Sequence, residues 1–165
     1  DPGLSAEQAR ALREVHGYNL IPPPTSLPPW LCCLIPCLRQ SKARRYYDIC
    51  VPDDCSVRRE GRWLTIDALG VVVGDTVRLL PGHRAAADIR LLQQGSDTCM
   101  LDGYAITGNS EKIPYRSQST EVVSGRPGLV PAGALCVQGS CSGVVIAVGA
   151  RTLLGEMIAT RSWPP

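Results

Sequence analysis

Three groupings in this 165-residue chain bring together side chains able to do chemistry. The first is a pair of cysteine pairs, Cys50 with Cys55 and Cys136 with Cys141, each separated by four residues. Two such pairs can close a tetrahedral thiolate zinc site, although the spacing is long for structural zinc and no knuckle glycine accompanies the first pair. A disulfide within either pair is an alternative, and the favoured reading is no metal. The second grouping is Asp75, Asp88 and Asp102. Three carboxylates can hold a hard cation, but aspartates at strand ends more often cap turns. The third is Leu101-Asp102-Gly103-Tyr104-Ala105-Ile106-Thr107-Gly108-Asn109-Ser110. Here Gly108 supplies backbone freedom and Asn109 tolerates left-handed geometry, so Thr107-Gly108-Asn109-Ser110 reads as a turn. His16 and His83 lie far apart without triad context. Ser110 lacks a Gly-x-Ser-x-Gly elbow, and no glycine-rich phosphate loop occurs. The expectation is no catalytic residue and no cofactor.

The elements that hold these residues follow from pattern. Ser5 is a good N-cap for a helix over 4–16, with Glu7 and Gln8 near the third helical position. Leu4, Ala9, Leu12 and Val15 give an apolar face and Gly17 a stop. Pro22-Pro23-Pro24 and Pro28-Pro29 predict an extended connector. A second helical stretch is expected over 30–45, its basic end (Arg39, Lys42, Arg44, Arg45) suiting a helix C-terminus. From Asp48 onward short strands are expected. Segments 55–59 and 62–66 flank a Glu60-Gly61 turn, and further strands are expected at 71–73, 76–80, 89–92 and 99–102. A glycine-bounded run at 143–149 is expected to be buried on both faces, and a short helix at 151–161. The division is an N-terminal helical segment at 1–20, a proline-rich strap with a short apolar and basic helix at 21–47, and a β domain at 48–165.

Bulk composition narrows the class. Lys+Arg is 17 and Asp+Glu 15, a formal net charge of +2, so nothing demands nucleic acid. Phenylalanine is absent, so the core falls to aliphatic residues. Several of the 8 cysteines, among them Cys32, Cys33, Cys37 and Cys136, lie in apolar runs. That placement argues for reduced thiols in an intracellular compartment rather than a disulfide framework. No signal peptide is visible. Residue 1 is Asp rather than Met, as expected for a processed chain or a piece of a longer one. The apolar block at 30–38 would span about 13 Å as a helix at ~1.5 Å per residue, against about 30 Å of hydrocarbon. Its residues Trp30, Leu31, Leu34 and Ile35 are therefore expected to be buried on this domain, on a partner or in a membrane interface, and they are the candidate partner-binding residues.

The third grouping resembles the signature loop of the P-type ATPase actuator domain, where a Thr-Gly-Glu-Ser run is expected. Five further segments follow the family's order. Gly74-Asp75-Thr76-Val77-Arg78-Leu79-Leu80-Pro81-Gly82 and Ala87-Asp88-Ile89-Arg90-Leu91-Leu92 are similar to its central strands. Val123-Ser124-Gly125 is similar to its Ser-Gly step. Cys136-Val137-Gln138-Gly139 and Val144-Val145-Ile146-Ala147-Val148-Gly149-Ala150-Arg151-Thr152 resemble its closing strands. Gly3-Leu4-Ser5-Ala6-Glu7-Gln8-Ala9 with Gly17-Tyr18-Asn19 looks like the N-terminal segment of cation pumps, closest to plasma-membrane proton pumps. The resemblance implies a mainly β fold, a distorted actuator-type β-roll or jelly roll with a short helical N-terminal appendage.

The departures bear on function. Asn109 stands where the family's glutamate activates water against an aspartyl phosphate, and an amide does not accept that proton. Glu111, two positions along, is expected to point elsewhere. Ala86 replaces a proline, His83 an acidic residue, and Glu111-Lys112-Ile113-Pro114 the usual continuation; residues 126–135 look inserted. Only a short block occupies the interval where pumps place two membrane helices, and the 165 residues hold no phosphorylated-aspartate motif or nucleotide domain. The implied function is a non-catalytic actuator-like structural or regulatory subunit of a larger, membrane-associated assembly. Its expected partners are other protein subunits, with contact to membrane proteins or a membrane surface and none to nucleic acid. Its expected location is a reducing compartment, cytosolic or organellar, such as the mitochondrion. The alternative is a piece of an ion-pumping ATPase. Working surfaces are expected at 22–38, at 126–135 and at the 107–111 turn.

Overall fold

The computed structural model describes residues 2–24, 42–92, 99–108, 112–115, 122–123 and 126–164. The expected partner-binding residues Trp30, Leu31, Leu34 and Ile35 lie outside the described residues, as do Cys32, Cys33, Cys37, Asn109, Ser110 and Glu111.

The chain is mainly antiparallel β. Strands β1 (Asp54–Arg59) and β2 (Arg62–Asp67) form the expected hairpin, with Glu60 and Gly61 both at positive φ, +50° and +77°, as a tight two-residue turn demands. With β3 (Thr76–Leu79), β4 (Asp88–Leu91), β9 (Leu129–Val130) and β11 (Cys141–Ala147) they make a six-stranded sheet in the order β2-β1-β3-β11-β4-β9. A second sheet joins β10 (Leu135–Gln138), β5 (Cys99–Asp102) and β6 (Lys112–Tyr115), and β7 (Val122–Val123) pairs with β8 (Arg126–Pro127). Val57, Val77, Leu79, Ile89, Leu101, Val130 and Val145, at most 2% exposed, form the main core with small alanines and thiols around them. Each fully buried aliphatic side chain contributes about 1.5–3 kcal/mol. β11 runs through the middle of its sheet, and Gly143 is what lets it approach β4. A Cβ there would sit 2.3 Å from Ile89 Cγ2 and 2.6 Å from the Arg90 carbonyl oxygen.

Helix α1 (Ala6–His16) starts as expected. The Ser5 side chain accepts from the Gln8 amide, and the Gln8 side chain accepts from the Ser5 amide. Its anticipated apolar face is only partly used. Ala9 is buried, whereas Val15 is 72% exposed, because the helix is held by polar ties rather than by a hydrophobic stripe. Arg13 donates to the Gly70 carbonyl at 3.0 Å. Asn19, 5% exposed, donates to the Ala68 and Ala86 carbonyls at 3.0 and 2.9 Å and accepts from the Gly149 amide at 2.8 Å. The N-terminal segment is therefore fastened onto the β domain.

Four expectations change. The described part of the second helix, α2, is Lys42–Cys50, and the rest of the expected 30–45 stretch lies outside the described residues. Arg44 and Arg45 are followed by more than a turn of helix and so do not mark its C-terminus; burial of Tyr47 and Cys50 sets its position instead. Val71-Val72-Val73 is not a strand. It follows a 3₁₀ turn (Ala68–Gly70), with Val71 and Val72 fully buried and the Val72 amide bound to the Asp75 carboxylate. β11 is not buried on both faces throughout. Its register on β4 shifts between Val145 and Ala147, and Ile146 is 39% exposed. Finally, 126–135 is not a free surface loop. It supplies β8 and β9, and Leu129, Val130, Ala132 and Ala134 are buried.

Candidate functional site

The signature loop leaves the end of β5. Asp102 pairs with Lys112 of β6, so the two strands of one hairpin bracket residues 103–111. The first half of that span is a single helical turn, α3 (Tyr104–Thr107). Asp102 accepts from the Tyr104 amide at 2.8 Å, an aspartate capping a turn, as its position predicts. Gly108 ends the turn in the left-handed region at φ 66°, its amide bound to the Tyr104 carbonyl at 3.0 Å. The freedom expected of this glycine is thus used. Thr107 and Gly108 are exposed. The Thr107 hydroxyl donates to the Gly103 carbonyl at 3.2 Å.

A second core fixes the base of this turn. Ile106, 4% exposed, packs with Ile21, Tyr47, Cys50, Ala132, Leu154, Ile158 and Trp163. Helix α4 (Leu153–Ala159) belongs to the same cluster, capped by the Thr152 hydroxyl on the Gly155 amide. Tyr46 of α2 packs edge-on against Tyr104, centroids 5.9 Å apart, and stacks on Trp163 at 5.4 Å. Burial raises the Tyr46 phenol to about 12, and its hydroxyl has no hydrogen-bond partner among the described residues. The loop is therefore held at its foot by α2, α4 and the C-terminal Trp163. The sequence pattern did not reveal this aromatic anchor, since Tyr46 and Trp163 lie far from the loop in the chain.

The carboxylates do not converge. Asp75, fully buried, accepts from Arg59 Nε at 3.0 Å, from Arg59 Nη2 at 2.6 Å and from the Val72 amide at 2.9 Å. Asp88, 1% exposed, accepts from the amides of Ala132 and Leu153, both at 2.9 Å, tying β9's flank and the start of α4 to β4. Both are structural. Among the described residues no group of three His, Cys, Asp or Glu could hold a metal.

The four candidate thiols do not form one site. Cys50 lies in the second core, and Cys55, Cys136 and Cys141 in the first. All are buried and free, as is Cys99, whose sulfur is 3.6 Å from that of Cys136. Burial pushes the Cys55 and Cys136 thiols up to about 12. Cys99 rises too, through its hydrogen bond with Cys141 and then burial. Thiols so placed stay protonated and behave as small apolar side chains. What remains of the three groupings is a rigidly footed glycine turn whose described side chains include no free base.

Comparison with known proteins agrees with this geometry. A family model of the P-type ATPase actuator domain matches residues 50–161. Sodium/potassium-transporting ATPase subunit alpha-2 from Bos taurus and from Homo sapiens is 34% identical over 128 residues, covering 75% of this chain and 12% of the relative. Subunit alpha-3 from Rattus norvegicus is 31% identical over the same length. A zinc-transporting PIB-type ATPase, solved in an E2.Pi state, superposes with a TM-score of 0.56 at 20% identity, covering 70% of this chain and 17% of that one. That last likeness bears on the fold.

Proposed function

The chain belongs to the P-type ATPases and carries their actuator domain; from that premise we propose that it is an actuator kept for its shape, a structural or regulatory subunit of a larger, membrane-associated assembly. Asn109 carries this reading. It follows a glycine in left-handed geometry at the end of a turn pinned by Ile106 and Tyr104. Where the family's loop offers a carboxylate to activate water, this one offers an amide, which donates and accepts hydrogen bonds but takes no proton. Among its described polar neighbours, the Asp102 carboxylate and the Thr107 hydroxyl are engaged with backbone partners. Such a loop can dock against a partner and hold a lever position. Its proposed partners are other protein subunits near a membrane. Among the described residues no helix is long and apolar enough to cross one.

A second reading is favoured by coverage: the alignment spans 75% of this chain but only 12% of the sodium/potassium pump subunit's length. On that reading the domain is one piece of a cation pump. The Asn109→Glu variant separates the two. Mixed with a pump fragment that supplies the phosphorylation and nucleotide domains, it is expected to leave phosphate release unchanged on the shape-only reading. A gain of phosphate release over the unchanged chain would refute that reading in favour of the pump piece.

A further inference from the structure

The six-stranded sheet turns one face to the core and carries on its other face residues that the signature loop does not use. β1 alternates, with Cys55, Val57 and Arg59 inward and Ser56 and Arg58 outward. Directly across, Arg58 faces Trp63 on β2 and Thr76 on β3, and Ser56 faces Thr65 and Arg78. Paired residues share a face, so Trp63, Arg58 and Arg78 form one patch. The Trp63 ring packs against both guanidiniums, with Arg78 Cζ 4.6 Å and Arg58 Cζ 6.0 Å from its centroid. Arg90, exposed, shares this face through Val144.

Among the described residues these cations have no counter-charge. Among the described residues the ion pairs are Arg44 with Asp48 and Arg59 with Asp75; none involves Arg58, Arg78 or Arg90. The Nε atoms of Arg58 and Arg78 are closed to solvent and have no acceptor among the described residues. A buried donor left in that state is costly, and an arriving carboxylate would relieve it. A recess of about 220 Å³ adjoins Arg78, lined by Ser56, His83 and Arg84, with Asp54 the sole carboxylate among its lining residues. β2 is the outer strand of its sheet in the described structure, and Leu64 on it is 45% exposed. An unpaired edge is a template for one more strand.

We infer that the β2 edge and the Arg58–Trp63–Arg78 face together dock an extended acidic segment of a partner polypeptide. Its backbone adds to β2, and its carboxylates engage the guanidiniums that Trp63 holds in plane. A second copy of this chain fits poorly, because it would bring the same arginines to the shared face and, along β2, only Asp67 as a carboxylate. The assignment rests on residues apart from the signature loop and is independent of that loop's chemistry.

The test titrates the full chain with a glutamate-rich peptide, read by calorimetry and by amide hydrogen exchange. Saturable binding that weakens with salt is expected, with slowed exchange on β2. Combining Arg58→Gln with Arg78→Gln is expected to lower affinity at least about tenfold, while Arg10→Gln on exposed α1 leaves it unchanged. If the double variant fails to fold, Arg78→Lys carries the test: it keeps the charge, loses the fork, and is expected to weaken binding by about threefold. The inference is overturned by absence of peptide binding, by wild-type affinity in the arginine variants, or by protection that avoids β2. Binding to phosphatidylserine vesicles in place of the peptide overturns it equally, by making the face a lipid site.

Discussion

Replacing Asp75 with Asn keeps the shape of a fully buried side chain and removes its charge. Three donors converge on that carboxylate: Arg59 Nε and Nη2 at 3.0 and 2.6 Å, and the Val72 amide at 2.9 Å. An asparagine keeps one acceptor oxygen and turns an NH₂ toward the remaining donors. Arg59, only 13% exposed, then retains its bond to the Gly70 carbonyl at 3.1 Å and no counter-charge. Stranding one partner of a buried pair costs about 3–5 kcal/mol; residual exposure of Arg59 puts the expectation near 3 kcal/mol. For a domain of this size that lowers Tm by roughly 6–12 °C. Urea unfolding should show a lower midpoint with unchanged slope. Replacing both partners with apolar residues should recover most of the loss, since it strands no charge. A cost for Asp75→Asn below about 1 kcal/mol, the value of a surface pair, would refute the reasoning. It would also remove the account of how the 3₁₀ turn, and through Arg13 the N-terminal helix, are fixed to the sheet.

Three further outcomes follow from the same geometry. Ile106→Ala empties a buried site at the foot of the signature loop and should cost about 2–5 kcal/mol in urea unfolding; a smaller loss would mean that the second core does not hold the loop. Gly143→Ala forces β11 and β4 apart and should destabilise by about 1–3 kcal/mol, which thermal unfolding reads directly. The buried thiols set an alkaline limit. Cys55 and Cys136 are raised to about 12 when folded, against about 8.5 in an unfolded chain, so the folded state holds their protons more tightly. Their contribution is full below the unfolded value and is lost as pH rises toward 12, by up to about 1.4 kcal/mol per pH unit per thiol. Stability should fall across that window, with thiolate absorbance appearing together with unfolding. Thiolate forming while the fold persists would show that these sulfurs are accessible.

Local chemistry was the legible part of the sequence. The Ser5–Gln8 capping box, the Glu60-Gly61 hairpin and the limits of β5 each depend on a few adjacent residues, and each forms as read. Where tertiary contacts decide, the reading failed. Val71 and Val72 have strand-like side chains, yet the Asp75 carboxylate draws their backbone into a turn. The cations of α2 suggested a helix C-terminus, but Tyr47 and Cys50 require burial farther along. Residues 126–135 read as a loop because their strands are too short to show alternation. At the candidate site the glycine turn was visible from its residues. Its anchors Tyr46 and Trp163, and the bridging role of Asn19, depend on contacts between distant segments and leave no local signal.

The most direct measurement is the decay of a phosphorylated aspartate on a complementing pump fragment when this chain is added in excess. An actuator without its carboxylate should leave the decay at the rate of the fragment alone. Acceleration by the unaltered chain would contradict the account, because it would show water activated by a loop that offers only an amide at residue 109.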